Sequence, residues 1–256
     1  MKAVILAGGF GTRLSEETEK RPKPMVEIGN RPILWHIMHC YARHGIKDFV
    51  VCLGYKADYV KKFFLDYTAS LSDFTVSLAD RGLEVHQQRA EDWKITLIDT
   101  GLDSMTGGRI KRALAYVDPD APFCMTYGDG LSDVDISTSV DFHRDHGKLC
   151  TVTAVTPPGR FGVLDVGPDH TVSGFREKIA SDQYRINGGF FVMNPGIGDY
   201  IDGDATVWER EPMRDLATDG ELKAFPHDGF WQPMDTLRDK QKLKELWDSG
   251  TPPWRP

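Results

Sequence analysis

A short apolar run, Ala3–Leu6, empties into Gly8, Gly9 and Gly11; Arg13 follows, and then Lys23, set between Pro22 and Pro24. The run predicts a buried strand. The glycines predict a loop whose peptide N–H groups come right up to a phosphate chain, an approach that side chains would block. Neither of two widespread phosphate loops fits. No Gly-Lys-Ser/Thr follows at P-loop spacing. Gly9 and Gly11 match the first two positions of the dinucleotide fingerprint, but Leu14 stands where its third glycine belongs and no acidic ribose reader is clearly placed. What is left is a phosphate cradle with two placed cations.

The pattern beyond the loop sets the expected fold. Ile33, Leu34, Ile37, Met38 and Tyr41 fall on one face of a helix predicted over Pro32–His44, with Pro32 in its first turn and Gly45 as its stop. The apolar run Asp48–Leu53 then completes a β–loop–α–β unit, the building block of a parallel sheet. Further helices are expected over Ala57–Tyr67, Gly107–Tyr116, Ile136–His146, Val207–Thr218 and Thr236–Ser249. Strands are expected at Phe74–Leu78, Leu83–His86, Trp93–Ile98, Phe123–Tyr127 and Cys150–Val155. The turn-separated runs Gly162–Val166, Thr171–Phe175 and Gly189–Met193 predict antiparallel members in the second half of the sheet. The expected fold class is α/β: one Rossmann-like three-layer α/β/α domain over 1–256 with a mixed, mostly parallel central sheet. Its nucleotide-binding half is expected at about 1–130 and its sugar-phosphate-binding half at about 131–250. No repeat, low-complexity segment or linker interrupts it, and the Pro-rich tail Thr251–Pro256 reads as an arm or surface strap.

The bulk properties exclude some functions. A net charge of −7 argues against general nucleic-acid or anionic-membrane binding, and no apolar run reaches transmembrane length. Anionic substrates would have to be held by local cations or by metal. Cys40, Cys52, Cys124 and Cys150 show no CxxC pairing and read as buried free thiols. The N-terminal apolar stretch is too short for a signal peptide and runs into glycines and Arg13, so a reduced, cytoplasmic protein is expected.

With the loop Gly8-Gly9-Phe10-Gly11-Thr12-Arg13-Leu14 and the segment Pro22-Lys23-Pro24-Met25, the chain resembles the sugar-1-phosphate nucleotidyltransferases (nucleotide-sugar pyrophosphorylases). The resemblance extends through Tyr127-Gly128-Asp129-Gly130, Glu177-Lys178, Asn187-Gly188-Gly189 and Phe230–Thr236. In that chemistry a sugar phosphate oxygen attacks the α-phosphorus of a nucleoside triphosphate, so catalysis is largely positioning and charge neutralisation. Arg13 has a fork suited to two phosphate oxygens, and Lys23, its backbone restricted by flanking prolines, is a point charge for the α-phosphate. The nucleotide site implied by the resemblance comprises Leu6, Ala7, Gly8, Gly9, Gly11, Thr12, Arg13, Lys23, Ser104, Thr106, Arg109 and Gly128. Asp129 and Asp235 are the implied ligands of Mg²⁺, a metal held by one or two carboxylates plus substrate phosphates. Read bare, Asp129 is a turn aspartate and Asp235 an N-cap of the last helix. The sugar phosphate is implied to meet Glu177, Lys178, Asn187, Gly188 and Trp231, with Ile179 where the family usually has proline. Read bare, Glu177-Lys178 is a surface pair, Asn187–Gly189 a tight turn and Trp231 a core residue.

The stretch Asp99–Arg109 bears on the base. Thymidylyl- and uridylyl-transferring relatives usually carry Gln-x-x-Pro-x-Gly-Leu-Ala here; this chain has Thr106-Gly107-Gly108-Arg109, which resembles the cytidylyl-transferring branch. That implies CTP and glucose 1-phosphate as substrates, with CDP-glucose and pyrophosphate as products. Cytosine presents an exocyclic amine, which backbone carbonyls or the Ser104 hydroxyl can select; Arg109 can read the base carbonyl or the phosphates. Thr106–Arg109 alternatively only starts a helix. The same chemistry on dTTP, UTP or another phosphorylated acceptor is the near alternative. A non-catalytic nucleotide-sugar-binding regulator is a second class, disfavoured because Arg13, Lys23, Asp129, Lys178 and Asp235 are all present; a nicotinamide dehydrogenase is the third. The family also implies a homo-oligomer.

Overall fold

Alternation along the first strand decides the layering. Ala3 and Ile5 enter one hydrophobic cluster, Val4 and Leu6 another, so both faces of the sheet must be covered. The computed structural model describes residues 1–87, 89–157, 162–166, 171–177 and 184–255, the strands 162–166 and 172–177 by their backbone. In chain order the strands are β1 (Lys2–Leu6), β2 (Glu27–Ile28), β3 (Arg31–Pro32), β4 (Asp48–Leu53) and β5 (Asp73–Ser77). There follow β6 (Gly82–Gln87), β7 (Lys94–Asp99), β8 (Phe123–Tyr127), β9 (Gly130–Ser132) and β10 (Cys150–Val155). The last are β11 (Gly162–Val166), β12 (Val172–Glu177), β13 (Ile186–Met193), β14 (Leu222–His227) and β15 (Trp231–Pro233). The α-helices are α1 (Ser15–Thr18), α2 (Ile33–Ala42), α3 (Ala57–Ser70), α4 (Thr106–Ala113), α5 (Ile136–His146), α6 (Glu211–Thr218) and α7 (Leu237–Asp248).

Seven strands form the central sheet in the order β14-β10-β13-β8-β1-β4-β7. All pairings are parallel except those of β13, which runs against β8 and β10. The sheet is therefore mixed and mostly parallel, as the βαβ pattern predicts. Helices α2, α3, α5 and α7 supply the cluster on one face; α4 and α6, with Trp208, supply the other. The reversal of β13 positions the site: its first residues, Ile186–Gly189, lie at the same edge as the carboxyl ends of β1, β8 and β10.

Four expectations need correction. The runs at 162–166 and 171–175 pair with each other as the separate ribbon β11–β12 instead of joining the central sheet. Strand β14 was not expected, because Pro226 interrupts its pattern; among the described residues it pairs with β10 alone, and an edge tolerates proline. The helix expected from Val207 starts at Glu211, with Pro212 in its first turn. The tail is no loose strap. Trp254 is 1% exposed, its indole donates to His36 Nδ1 at 3.3 Å, and its carbonyl accepts from Arg43 Nη1 at 3.4 Å. The four cysteines are free and buried, and burial pushes the Cys40 thiol up to about 11. Among the described residues no helix is long and apolar enough to cross a membrane.

Candidate active site

Two carboxylates 106 residues apart meet because one ladder ends at both. Strand β9 pairs antiparallel with β15, Gly130 opposite Pro233. Just beyond that end, Met234 N–H donates to the Asp129 carbonyl at 2.8 Å, which leaves Asp235 beside Asp129. Asp235 is held further by Asp239, whose Oδ2 accepts from the N–H groups of Asp235 (3.1 Å) and Thr236 (2.9 Å). Thr236 is the N-cap of α7, in a capping box with Asp239, so the reading of Asp235 as the N-cap is corrected: its side chain is left for the site.

Lys23 enters between these carboxylates. Pro22 caps and Pro24 sits within a single 3₁₀ turn, Lys23–Met25, closed by Met25 N–H to the Pro22 carbonyl at 2.8 Å. The turn presents Lys23 Nζ 2.7 Å from Asp129 Oδ2 and 2.8 Å from Asp235 Oδ1. The lysine side chain is 11% exposed, and burial alone would favour its neutral form. Both carboxylates act against that, by charge and by hydrogen bonding, and its pKa lies above the ordinary lysine value. Arg13 reaches the other Asp235 oxygen at 3.3 Å and is largely exposed, its guanidinium turned to the cavity mouth.

The glycine loop is shaped by a second arginine. The Arg109 residue is 4% exposed, and its guanidinium donates to Thr100 Oγ1 (2.6 Å) and to the carbonyls of Leu53 (3.0 Å), Gly8 (3.2 Å) and Leu102 (3.3 Å). It thereby ties together the ends of β1, β4 and β7. A Cβ on Gly8 would stand 2.1 Å from Arg109 Nη1, so that glycine makes room for the clamp. Gly9 differs: a Cβ there would meet no protein atom within 4 Å, and its bare backbone faces the cavity. Burial lowers the Arg109 pKa, with Cys52 and Asp99 acting the other way. Most of the guanidinium's donors are committed to the protein, which narrows its expected part as a reader of base or phosphate.

The stretch expected to select the base also serves packing. Thr106 opens α4, and Cβ atoms on Gly107 and Gly108 would come within 2.7 Å of the Thr206 carbonyl and 2.6 Å of the Asp204 backbone. Those glycines let the helix start lie directly on segment 203–206. Ser104 and Thr106 both line the cavity. On the opposite side, Asn187 Oδ1 accepts from Gly189 N–H at 2.8 Å, and Trp231 Nε1–H donates to the Gly188 carbonyl at 2.6 Å. Turn and indole are thus parts of one wall.

Together these segments enclose a cavity of 720 Å³ at the carboxyl edge of the sheet. It is lined by Leu6, Ala7, Gly8, Gly9, Gly11, Thr12, Arg13, Lys23, Ser104, Thr106, Arg109, Gly128, Asp129, Asn187, Gly188, Trp231 and Asp235. The structure therefore brings these expected residues together around one space; Glu177 is described by its backbone alone, at the end of β12 opposite Gly162. Lys178 lies outside the described residues. The sequence reading missed Phe10, Leu102 and Met105, exposed apolar side chains at the cavity mouth, and Tyr127 in its wall. Apolar residues in loops between polar ones are the only signal that could have marked the first three.

Asp129 and Asp235 fit a divalent cation: two acidic oxygens already converge on one ammonium at the wall of a cavity able to take a triphosphate. Among the described residues no group of three or more His, Cys, Asp or Glu side chains gathers to hold a metal, so substrate oxygens would complete the coordination.

A glycine loop, an in-wall lysine and paired aspartates at the carboxyl edge of a mostly parallel sheet define a nucleotide-binding phosphotransfer site. The chain belongs to the nucleotidyl transferase family, whose model matches residues 2–219. It is 58% identical over 255 residues to a glucose-1-phosphate cytidylyltransferase of Salmonella typhimurium, covering 100% of this chain and 99% of the relative. It is 42% identical to a probable glucose-1-phosphate cytidylyltransferase of Bacillus subtilis over 256 residues, covering 100% and 99%. Among solved structures, HddC from Yersinia pseudotuberculosis superposes with a TM-score of 0.70 at 25% identity, covering 96% of this chain and 99% of that one.

Proposed function

We propose that this chain transfers a cytidylyl group from CTP to α-D-glucose 1-phosphate, giving CDP-glucose and pyrophosphate. The full-length 58% identity to the Salmonella relative carries this reading, together with a cavity in which a phosphate loop, a paired lysine and two aspartates face one space. The glycine loop takes the triphosphate through its N–H groups, with Gly9 admitting the closest approach. Arg13 neutralises the outgoing phosphates at the mouth. A phosphate oxygen of the sugar phosphate attacks the α-phosphorus, the bond from that phosphorus to the bridging oxygen breaks, and its electrons leave on pyrophosphate; no proton need move. Lys23 stabilises the charge that develops on the α-phosphate oxygens. Asn187, Gly188 and Trp231 hold the hexose beside the attacking phosphate. Asp129 and Asp235 would hold Mg²⁺, which shares the phosphate charge when bound. The same reading includes a reducing cytoplasmic setting, suited to four free thiols, and self-association.

The test is pyrophosphate release with CTP, dTTP, UTP, GTP and ATP in turn, each with glucose 1-phosphate and Mg²⁺. CTP is expected to give the highest kcat/KM. A higher value for another nucleotide would reassign the base, and no release from any would remove the enzyme reading.

A further inference from the structure

Between α4 and the end of β8 stands a carboxylate that is not among the cavity-lining residues. Glu209, in the turn before α6, accepts a hydrogen bond from Thr106 Oγ1–H at 2.7 Å through one oxygen and from the Tyr127 hydroxyl through the other. Its two partners come from different elements of the cavity lining. Thr106 begins α4 on the side of Ser104 and Arg109, whereas Tyr127 ends β8 two residues before Asp129. The Tyr127 ring also lies against the turn expected to hold the sugar, for a Cβ on Gly189 would stand 2.8 Å from it.

The segment carrying Glu209 is itself anchored to α4. Met105 N–H donates to the Asp204 carbonyl at 2.8 Å, Gly107 N–H to the Thr206 carbonyl at 2.9 Å, and Trp208 N–H to Thr106 Oγ1 at 2.9 Å. Arg112 grips the Asp204 carboxylate with two bonds, at 2.9 and 2.6 Å. Trp208, fully buried, packs edge-on to Phe191 of β13, whose ring in turn meets Tyr127 edge-on.

We infer that Glu209 is a positioning residue for the proposed transfer: its carboxylate braces Thr106 against Tyr127 and so fixes the spacing between the nucleotide side and the sugar-phosphate side of the cavity. In-line attack depends on that spacing. A residue that sets it alters the rate of a reaction between two bound substrates more than the binding of either alone. The inference rests on the transfer reading above but not on which base is used.

Glu209→Ala, Glu209→Gln and Tyr127→Phe in the full chain provide the test, with kcat from pyrophosphate release and the affinity of CTP and of glucose 1-phosphate, each alone, from calorimetry. Glu209→Ala is expected to lower kcat by ~10- to 100-fold while each substrate alone binds as to the wild type. Glu209→Gln is expected to restore most of the rate, because an amide can accept from one hydroxyl and donate to the other. Tyr127→Phe should lose part of the rate, and Glu209→Ala in that background should add less than it does alone. An unchanged kcat in Glu209→Ala overturns the inference, as does a loss confined to the affinity of one substrate, which would make Glu209 a contact residue. If Glu209→Ala does not fold, Glu209→Ser, whose side chain is too short to span the two hydroxyls, is judged by the same outcomes. A wild type inactive with CTP but active with another nucleotide would fail the base reading alone, and the variants are then compared on that pair. A wild type inactive with every pair overturns both.

Discussion

Lys23 concentrates the chemistry of the site in one atom. Its ammonium is nearly enclosed, yet each aspartate is partly open to the cavity, 34% and 25% exposed, so solvent screens the pairs and little of the fold's stability hangs on them. Lys23→Ala is therefore expected to lower kcat by ~10² to 10³-fold, the cost typical of removing one donor to a developing oxyanion, with an unchanged circular-dichroism spectrum and a melting temperature within a few degrees. Wild-type turnover in that variant would refute the role. This residue was legible in the sequence because its chemistry is local: two prolines and a neighbouring glycine loop are printed side by side. Arg109 was legible only as a cation. Its clamp joins carbonyls at the ends of three strands, and no local pattern announces acceptors that are backbone atoms. Glu209 was invisible for the same reason, since its partners lie 103 and 82 residues away. Asp239 could have been found: Thr236-x-x-Asp239 ahead of a helical run is a capping signature.

At the scale of elements, the pattern read best where period and burial agree. Strands β8 and β10 and helix α5 fall where the sequence places them, because each is an unbroken run with clear ends. It read worst where tertiary contact overrides pattern, as in β14 with its proline and in the tail. Trp254 shows what the tail does. It closes over His36 of α2, which bonds the Ile28 carbonyl at 3.0 Å through Nε2 and accepts the Trp254 indole N–H through Nδ1. Trp247 of α7 meets the same imidazole edge-on, and the Arg255 guanidinium lies over the Trp35 and Trp247 rings. Burial pushes the His36 pKa down to about 4, with His39 and Arg255 adding to the shift. The sign follows from linkage: between 6.5 and about 4 the unfolded chain takes up a proton that the folded chain refuses. The stability His36 contributes is whole above pH 6.5 and is lost as pH falls towards 4, on the order of 3 kcal/mol in all. His39, His44, His143 and His146 are also lowered and act in the same direction. Melting temperature is thus expected to fall from pH 7.5 to pH 5, with a shallower slope in His36→Gln. An equal slope in the variant would remove His36 from the account.

At the scale of the whole molecule, the β5–β6 ribbon has an apolar face that the described residues leave exposed. In β5–β6, Phe74 stands opposite Val85 and Val76 opposite Leu83, which sets four apolar side chains on one face, while Thr75 opposite Glu84 marks the other. All four are exposed, and Leu78 beside them is 90% exposed. A two-stranded ribbon is at best marginally stable alone, and an apolar face of this kind is ordinarily covered. The sequence predicted both strands but not that they would leave the central sheet, since alternation marks a half-buried strand without saying what buries it. The self-association proposed above would bury this face. Light scattering coupled to size-exclusion chromatography is expected to give the wild type a mass that is a multiple of 28.8 kDa. Val76→Lys with Leu83→Lys puts two charges opposite one another on that face, so burying it would strand two unpaired cations. The double variant is expected to elute nearer 28.8 kDa. A wild type already at the single-chain mass, or a double variant that keeps the larger one, would show that the ribbon does not join copies of this chain.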